Sequence, residues 1–168
     1  MPKILIITYD GVDDSELIYP LFRMLEEGFL VDVCSMEKRI IKAKYHFSIE
    51  ATLLPTEIKV KDYDGLYLPG GMAPEKLRQN DDVLSVVKEF NSLNKPIVAI
   101  CHGPQLLISS DILRGVSATC YPGIKADLIN AGAKYIDQSV VVDKNIITSR
   151  RPNDMPFMMK KFIEIVKN

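Results

Sequence analysis

The sequence predicts an α/β fold: a three-layer α/β/α sandwich around a mostly parallel, doubly wound sheet. Three observations point there. Short apolar runs without polar alternation recur along the chain, as in strands covered on both faces. Segments with apolar residues at helical spacing lie between them. The first strand, helix and second strand follow one another as a βαβ unit, whose crossover should be right-handed.

The elements follow in order. Lys3–Thr8 reads as a buried strand. Leu17, Ile18, Leu21, Phe22 and Leu25 repeat at helical spacing and stop at Gly28. Pro20 falls inside that pattern and should kink or restart the helix. Leu30–Met36 forms a second strand, and residues 39–50 a short hairpin-like excursion. Gly65–Leu68 is a brief strand closed by Pro69-Gly70-Gly71. Residues 75–93 read as one helix through Leu77, Val83, Leu84, Val86, Val87 and Phe90. Ile97–Ile100 is the next strand, and Pro104–Ser109 opens the next helix. Val140–Val142 and Ile146–Thr148 flank an Asp143-Lys144-Asn145 turn, which predicts a hairpin near the sheet edge. Asn153 or Asp154 caps a last helix running through Val166. No repeat, low-complexity segment or linker interrupts residues 1–168, so one domain is expected.

Composition excludes several classes. The 168 residues are 26% charged and 47% apolar, with a net charge of −1. Nothing in that balance attracts nucleic acid or an anionic membrane. No run approaches the ~20 apolar residues of a membrane span, and MPKILIIT lacks the features of a signal peptide. Three cysteines, Cys34, Cys101 and Cys120, are too few for a disulfide framework and fit a reducing cytosol. With only His46 and His102 and no CxxC or HxxxH spacing, no metal site is expected. Tyr9-Asp10-Gly11-Val12 is not a dinucleotide fingerprint, so no cofactor is expected.

In sheets of this kind ligands bind beyond the carboxyl ends of the strands. That rule selects residues 9–16, 69–75, 101–105 and 149–154. The third of these carries the chemistry. Strand–Cys101–His102–Gly103–Pro104–helix has the logic of a nucleophile elbow, whose sharp turn pushes the corner side chain above the sheet. Pro104 suits the first turn of a helix. A sulfur at a helix N-terminus should hold its proton loosely, and amides at the same corner suit an oxyanion. The alternative is a structural cysteine at a βα junction. His102 is either a catalytic partner or a polar residue satisfied in the turn. Glu16 reads as the distal half of a capping box begun by Asp13; an acid there would share a proton with a neighbouring thiol, and the two readings do not exclude each other. Gly70-Gly71 supplies either backbone donors, chiefly from Gly71, or a tight turn. Glu75 alone reads as a helix first-turn acid, and Tyr121 as a half-buried aromatic before Pro122. Cys34 and the Met158-Met159 pair read as core, Cys120 as structural, His46 as surface, and Arg150 and Arg151 as surface charge or, at a strand end, as cations that steer an anionic substrate.

Ala99–Gln105 (AICHGPQ), together with LPGG at 68–71 and TCYPGIK at 119–125, closely resembles the PfpI intracellular-protease family. The likeness runs from DDSELIYP through PGGMAPE to SRRPNDM. That family belongs to a flavodoxin-like superfamily with the Parkinsonism-associated protein deglycase and the class I glutamine amidotransferases. The resemblance implies Cys101 as nucleophile with His102 beside it and Glu16 as the carboxyl that touches it. It also implies Glu75 as an acidic residue acting across an oligomer interface, and Tyr121 near the pocket. Asp13 stands where relatives often carry Glu, and its shorter side chain has less reach. A homo-oligomer, dimer or hexamer, is implied as well.

The expected function is thus a cysteine-nucleophile enzyme. Its substrates would be reactive small aldehydes or their adducts, handled by glyoxalase III or deglycase chemistry. Peptide hydrolysis and redox sensing by Cys101 are the alternatives.

Overall fold

A computed structural model describes residues 1–168. In chain order its elements are β1 (Lys3–Ile7), α1 (Asp14–Glu26), β2 (Leu30–Cys34), β3 (Ile40–Lys42), β4 (Ser48–Glu50), β5 (Gly65–Leu68), α2 (Ala73–Leu77), α3 (Asp81–Ser92), β6 (Ile97–Ile100), α4 (Pro104–Ser109), β7 (Ser117–Ala118), α5 (Lys125–Asn130), β8 (Lys134–Tyr135), β9 (Val141–Asp143), β10 (Ile146–Ser149) and α6 (Met155–Lys167).

The central sheet has six strands in the order β2-β1-β5-β6-β10-β9. All pairs are parallel except β10–β9, which is the expected antiparallel hairpin at an edge. From β1 the chain first adds β2 on one side and then β5, β6 and β10 on the other. The order therefore reverses between β1 and β5. The crevice above such a reversal is where open α/β sheets bind ligands.

The strands at that reversal are apolar throughout because helices cover both faces. Every residue of β5 and β6 is buried. They belong to one core cluster of 45 buried residues, which includes Cys34, Cys120, Met158 and Met159. Tyr67, Phe90 and Phe162 are among its largest fully buried side chains. Gly65 sits where no larger residue fits: a Cβ there would lie 2.9 Å from the Phe162 ring.

Three expectations about elements change. The helix read over 75–93 is two helices, α2 and α3, broken at 78–80. Asn80 caps the second, its side chain accepting from the Val83 N–H at 3.0 Å. Pro20 does not divide α1, which runs unbroken from Asp14 to Glu26. The turn before α6 uses Asp154 differently from a cap. Asp154 makes no side-chain cap bond and is 4% exposed. Its carboxylate instead accepts from Arg150 Nε at 2.9 Å, Arg150 Nη2 at 3.0 Å and the Arg150 N–H at 3.2 Å. Arg150 is thus the partner of a buried carboxylate, and the surface-charge reading fails for it. The hairpin of β3 and β4 forms as expected and folds back on the start of α1. There the Asp14 carboxylate accepts three consecutive backbone N–H groups, from Tyr45, His46 and Phe47.

Asp154→Ala leaves Arg150 only the exposed Asp137 carboxylate at 3.0 Å and should lower stability by about 1–3 kcal/mol, read as a drop in the urea midpoint. A loss under 1 kcal/mol would mean that water replaces the carboxylate at little cost.

Candidate active site

The loops after β1, β5 and β6 meet above the strand-order reversal, and glycines allow them to meet. The Gly70 Cα faces the Glu16 carboxyl; an added Cβ would lie 2.5 Å from Glu16 Oε2 and 2.9 Å from both the His102 nitrogen and the Ile100 oxygen. Gly71 has φ +74° and packs against the backbone of Gly11, Val12 and Asp13. A side chain on Gly103 would strike the Leu68 carbonyl.

Cys101 stands at the corner between β6 and α4 with φ +59°. A left-handed backbone at a non-glycine residue carries strain of roughly 1 kcal/mol or more, held by the surrounding structure. Here the hold is visible. The Cys101 N–H donates to the Ser149 carbonyl at 3.0 Å, and the Cys101 carbonyl accepts from the Tyr121 N–H at 2.9 Å. The elbow predicted from strand, cysteine and Pro104 is therefore present.

Glu16 is 1% exposed on the first turn of α1. Asp13 caps this helix, its Oδ1 accepting from the Ser15 N–H at 2.9 Å and the Glu16 N–H at 3.2 Å. The reciprocal half of a capping box does not form. The Glu16 carboxyl turns inward instead, accepts from the Gly70 N–H at 2.6 Å and reaches Cys101 Sγ. Pro20 explains a further contact. Four residues after Glu16 it has no N–H to give the Glu16 carbonyl. That carbonyl accepts instead from the buried Tyr67 hydroxyl at 2.6 Å. The backbone of Glu16 is thus held by Tyr67 and its side chain by Gly70.

Burial, with the Asp13 charge adding to it, pushes the Glu16 carboxyl up from 4.5 to about 8. The Cys101 thiol is also pushed up, by burial first and by the Glu16 charge second; the His102 N–H acts in the opposite sense. The loosely held proton expected from the elbow is therefore corrected. Cys101 is 8% exposed, and the helix behind it has only six residues. Its few amides do not offset desolvation beside a carboxyl group. Two acids in one buried site carry at most one negative charge near neutral pH.

His102 is half-buried, which lowers its pKa against the opposing charge of Glu75. Its Nδ1 lies 3.4 Å from Cys101 Sγ, and its ring stacks on Tyr121 at 4.7 Å between centroids. These groups surround a cavity of about 290 Å³. Asp13, Glu16, Gly71, Glu75, Cys101, His102 and Tyr121 all line it. Glu75 thus reaches the cavity of its own chain. No hydrogen bond within the chain engages the Gly71 N–H. Sequence reasoning missed Lys44, from the β3–β4 hairpin, and Met72 and Gln105. Gln105 was legible, since it ends the AICHGPQ stretch; Lys44 was not, because only the folded hairpin brings it near. Cys34 and Cys120 are fully buried and their thiols are pushed up to about 12 by desolvation, in keeping with structural roles.

Residues 2–165 match the profile of the DJ-1/PfpI family. The chain is 43% identical over 165 residues to a Pyrococcus horikoshii protein named Deglycase PH1704, covering 98% of this chain and 99% of that one. It is 36% identical to Protein/nucleic acid deglycase 2 of Escherichia coli, covering 98% and 97%. Among solved structures it superimposes on a two-domain Anabaena variabilis protein containing DJ-1/ThiJ/PfpI-like and ferritin-like domains. The TM-score is 0.96 at 37% identity, and the match covers 98% of this chain and 48% of that one.

Two outcomes follow from the burial of Glu16. Its folded pKa, about 8, lies above the 4.5 of an exposed carboxyl, so the stability it supports is complete below pH 4.5 and is lost as pH rises toward 8. The steepest loss is about 1.4 kcal/mol per pH unit. Glu16→Gln should match wild type in stability at pH 4.5 and exceed it at pH 8; parallel urea-midpoint profiles would contradict this. Tyr67→Phe leaves the Glu16 carbonyl unpaired and should cost about 1–3 kcal/mol, whereas an unchanged midpoint would show another donor in its place.

Proposed function

The chain belongs to the DJ-1/PfpI family, and from that premise we propose that it is a Cys101-dependent enzyme acting on reactive small aldehydes or their adducts, as a deglycase or glyoxalase III does. The observation that carries this reading is the buried Glu16 carboxyl beside Cys101 Sγ in a cavity of about 290 Å³. A space of that size suits a small carbonyl compound better than an extended peptide.

The steps follow from the groups present. Glu16, once ionised, takes the Sγ proton as the sulfur bonds to the aldehyde carbon of methylglyoxal. The former carbonyl oxygen, now an alkoxide, is stabilised by the Gly71 N–H and then takes the proton back from Glu16. With a carbinolamine adduct the sulfur displaces the amine, the C–N bond breaks, and the amine leaves with a proton; the same thiohemiacetal results. Glu16 or neutral His102 next moves the C1 proton to C2 while the C1 hydroxyl proton passes to the C2 oxygen, converting the thiohemiacetal into a thioester of lactate. Water cleaves the thioester, releasing lactate and restoring the thiol. The Asp13 carboxylate is occupied as the helix cap and takes no proton in this scheme.

Cys101→Ser should abolish turnover of methylglyoxal and of its hemithioacetal. Glu16→Gln keeps the Gly70 bond but cannot accept a proton; a drop in kcat of about 100-fold or more is expected. Wild-type turnover should rise with pH through a midpoint near 8, where the pair loses its first proton. Sustained Cys101-dependent cleavage of a fluorogenic peptide, with no aldehyde turnover, would replace this reading with the peptidase one.

A further inference from the structure

Of the polar cavity groups with no part in that scheme, one holds an atom that is sealed from solvent and unpartnered. Gln105 lies on the first turn of α4, four residues beyond Cys101, and lines the cavity. It is 9% exposed, and its Oε1 is sealed from solvent without a hydrogen-bond partner in the chain. An acceptor left in that state is costly, and of the five sealed, unpartnered side-chain atoms of the chain it alone belongs to a residue lining the cavity. Packing does not require it, since leucine or methionine has a similar volume. The terminal torsion of a glutamine is soft, so a ligand offering a donor draws the oxygen toward the cavity.

We infer that Gln105 is the substrate-binding residue that recognises the carbinol hydroxyl of an aldehyde adduct. The inference rests on the function proposed above and narrows its substrate. A primary amide presents an acceptor and a donor side by side. Their complement is a hydroxyl donor on the carbon next to a ketone acceptor. A hemithioacetal or carbinolamine of methylglyoxal carries that HO–C–C=O unit, with the hydroxyl on the carbon that Cys101 attacks. The unhydrated dicarbonyl carries two acceptors and no donor, so it cannot satisfy Oε1, whereas its C1 hydrate, the water adduct, carries the same unit. The preferred substrate is therefore an adduct, of thiol, amine or water, held with its hydroxyl on Gln105 Oε1 and its ketone oxygen on Gln105 Nε2. This pairing acts on ground-state binding and leaves the proton transfers to Glu16 and His102.

The test compares wild type with Gln105→Leu and Gln105→Met on the hemithioacetal of methylglyoxal and N-acetylcysteine. Both variants should raise KM about tenfold while kcat stays within about twofold. Methyl methanethiosulfonate, a thiol reagent with no hydrogen-bond donor, should modify Cys101 in all three proteins at rates within about twofold. That result shows the elbow intact and removes misfolding as the cause of a raised KM. An unchanged KM in both variants overturns the inference while leaving the proposed function standing. A fall in kcat at constant KM also overturns it, because Gln105 would then serve the chemical step. If wild type turns over no hemithioacetal although Cys101 is modified, the proposed function fails and this inference fails with it.

Discussion

A carboxyl group buried at the top of a parallel sheet constrains most of what surrounds it. Glu16 has 1% of its surface exposed, so its oxygens must be satisfied from within. One accepts from the Gly70 N–H at 2.6 Å, close enough that Gly70 has no room for a side chain. Its carbonyl, freed by Pro20, takes the Tyr67 hydroxyl. Residues on α1, on β5 and in the loop beyond β5 are thus tied to one acidic side chain. The same side chain faces the sulfur of Cys101. A residue that reads locally as part of a helix cap is, in the fold, the point where α1, β5 and the loop beyond β5 are joined.

The elbow and the carboxyl oppose each other electrostatically. Backbone amides at a strand-to-helix corner favour a thiolate, but the corner is closed over and an acid lies beside it. Burial and the neighbouring charge dominate, so neither group ionises freely at neutral pH. One anion shared between sulfur and carboxyl is the arrangement the geometry supports. In the proposed scheme it makes the proton on Glu16 part of nucleophile generation. The backbone strain at Cys101, with φ +59°, keeps the sulfur in reach of that proton. His102 is drawn out of a charged role by the same burial and is placed by stacking on Tyr121.

Strong periodicity was the reliable signal in the chain. The buried strands of the sheet and helices α1 and α6 are long or apolar enough for their patterns to stand out, and the edge hairpin was marked by its turn. Residues 117–135 hold β7, α5 and β8, none longer than six residues and none anticipated. Elements that short complete no period, so their existence depends on neighbours. The split between α2 and α3 was hidden because apolar residues continue across Asn80, where only the cap reveals the break. Asp154 looked like a cap and is the seat of Arg150, a choice made by packing at the end of β10.

By itself the sequence determined the layered α/β architecture, the strand-to-helix corner at Cys101 and the loops where chemistry had to gather. Those follow from local periodicity, from glycine and proline, and from a motif contiguous in the chain. Only the tertiary structure decided how Glu16 is used, that Tyr67 answers for the N–H missing at Pro20, and that Gln105 is sealed in without a partner. It also decided that the thiol gains its proton affinity from burial. These are properties of groups distant in sequence and of the low-dielectric space they share, and no local pattern encodes the solvent a side chain loses on folding.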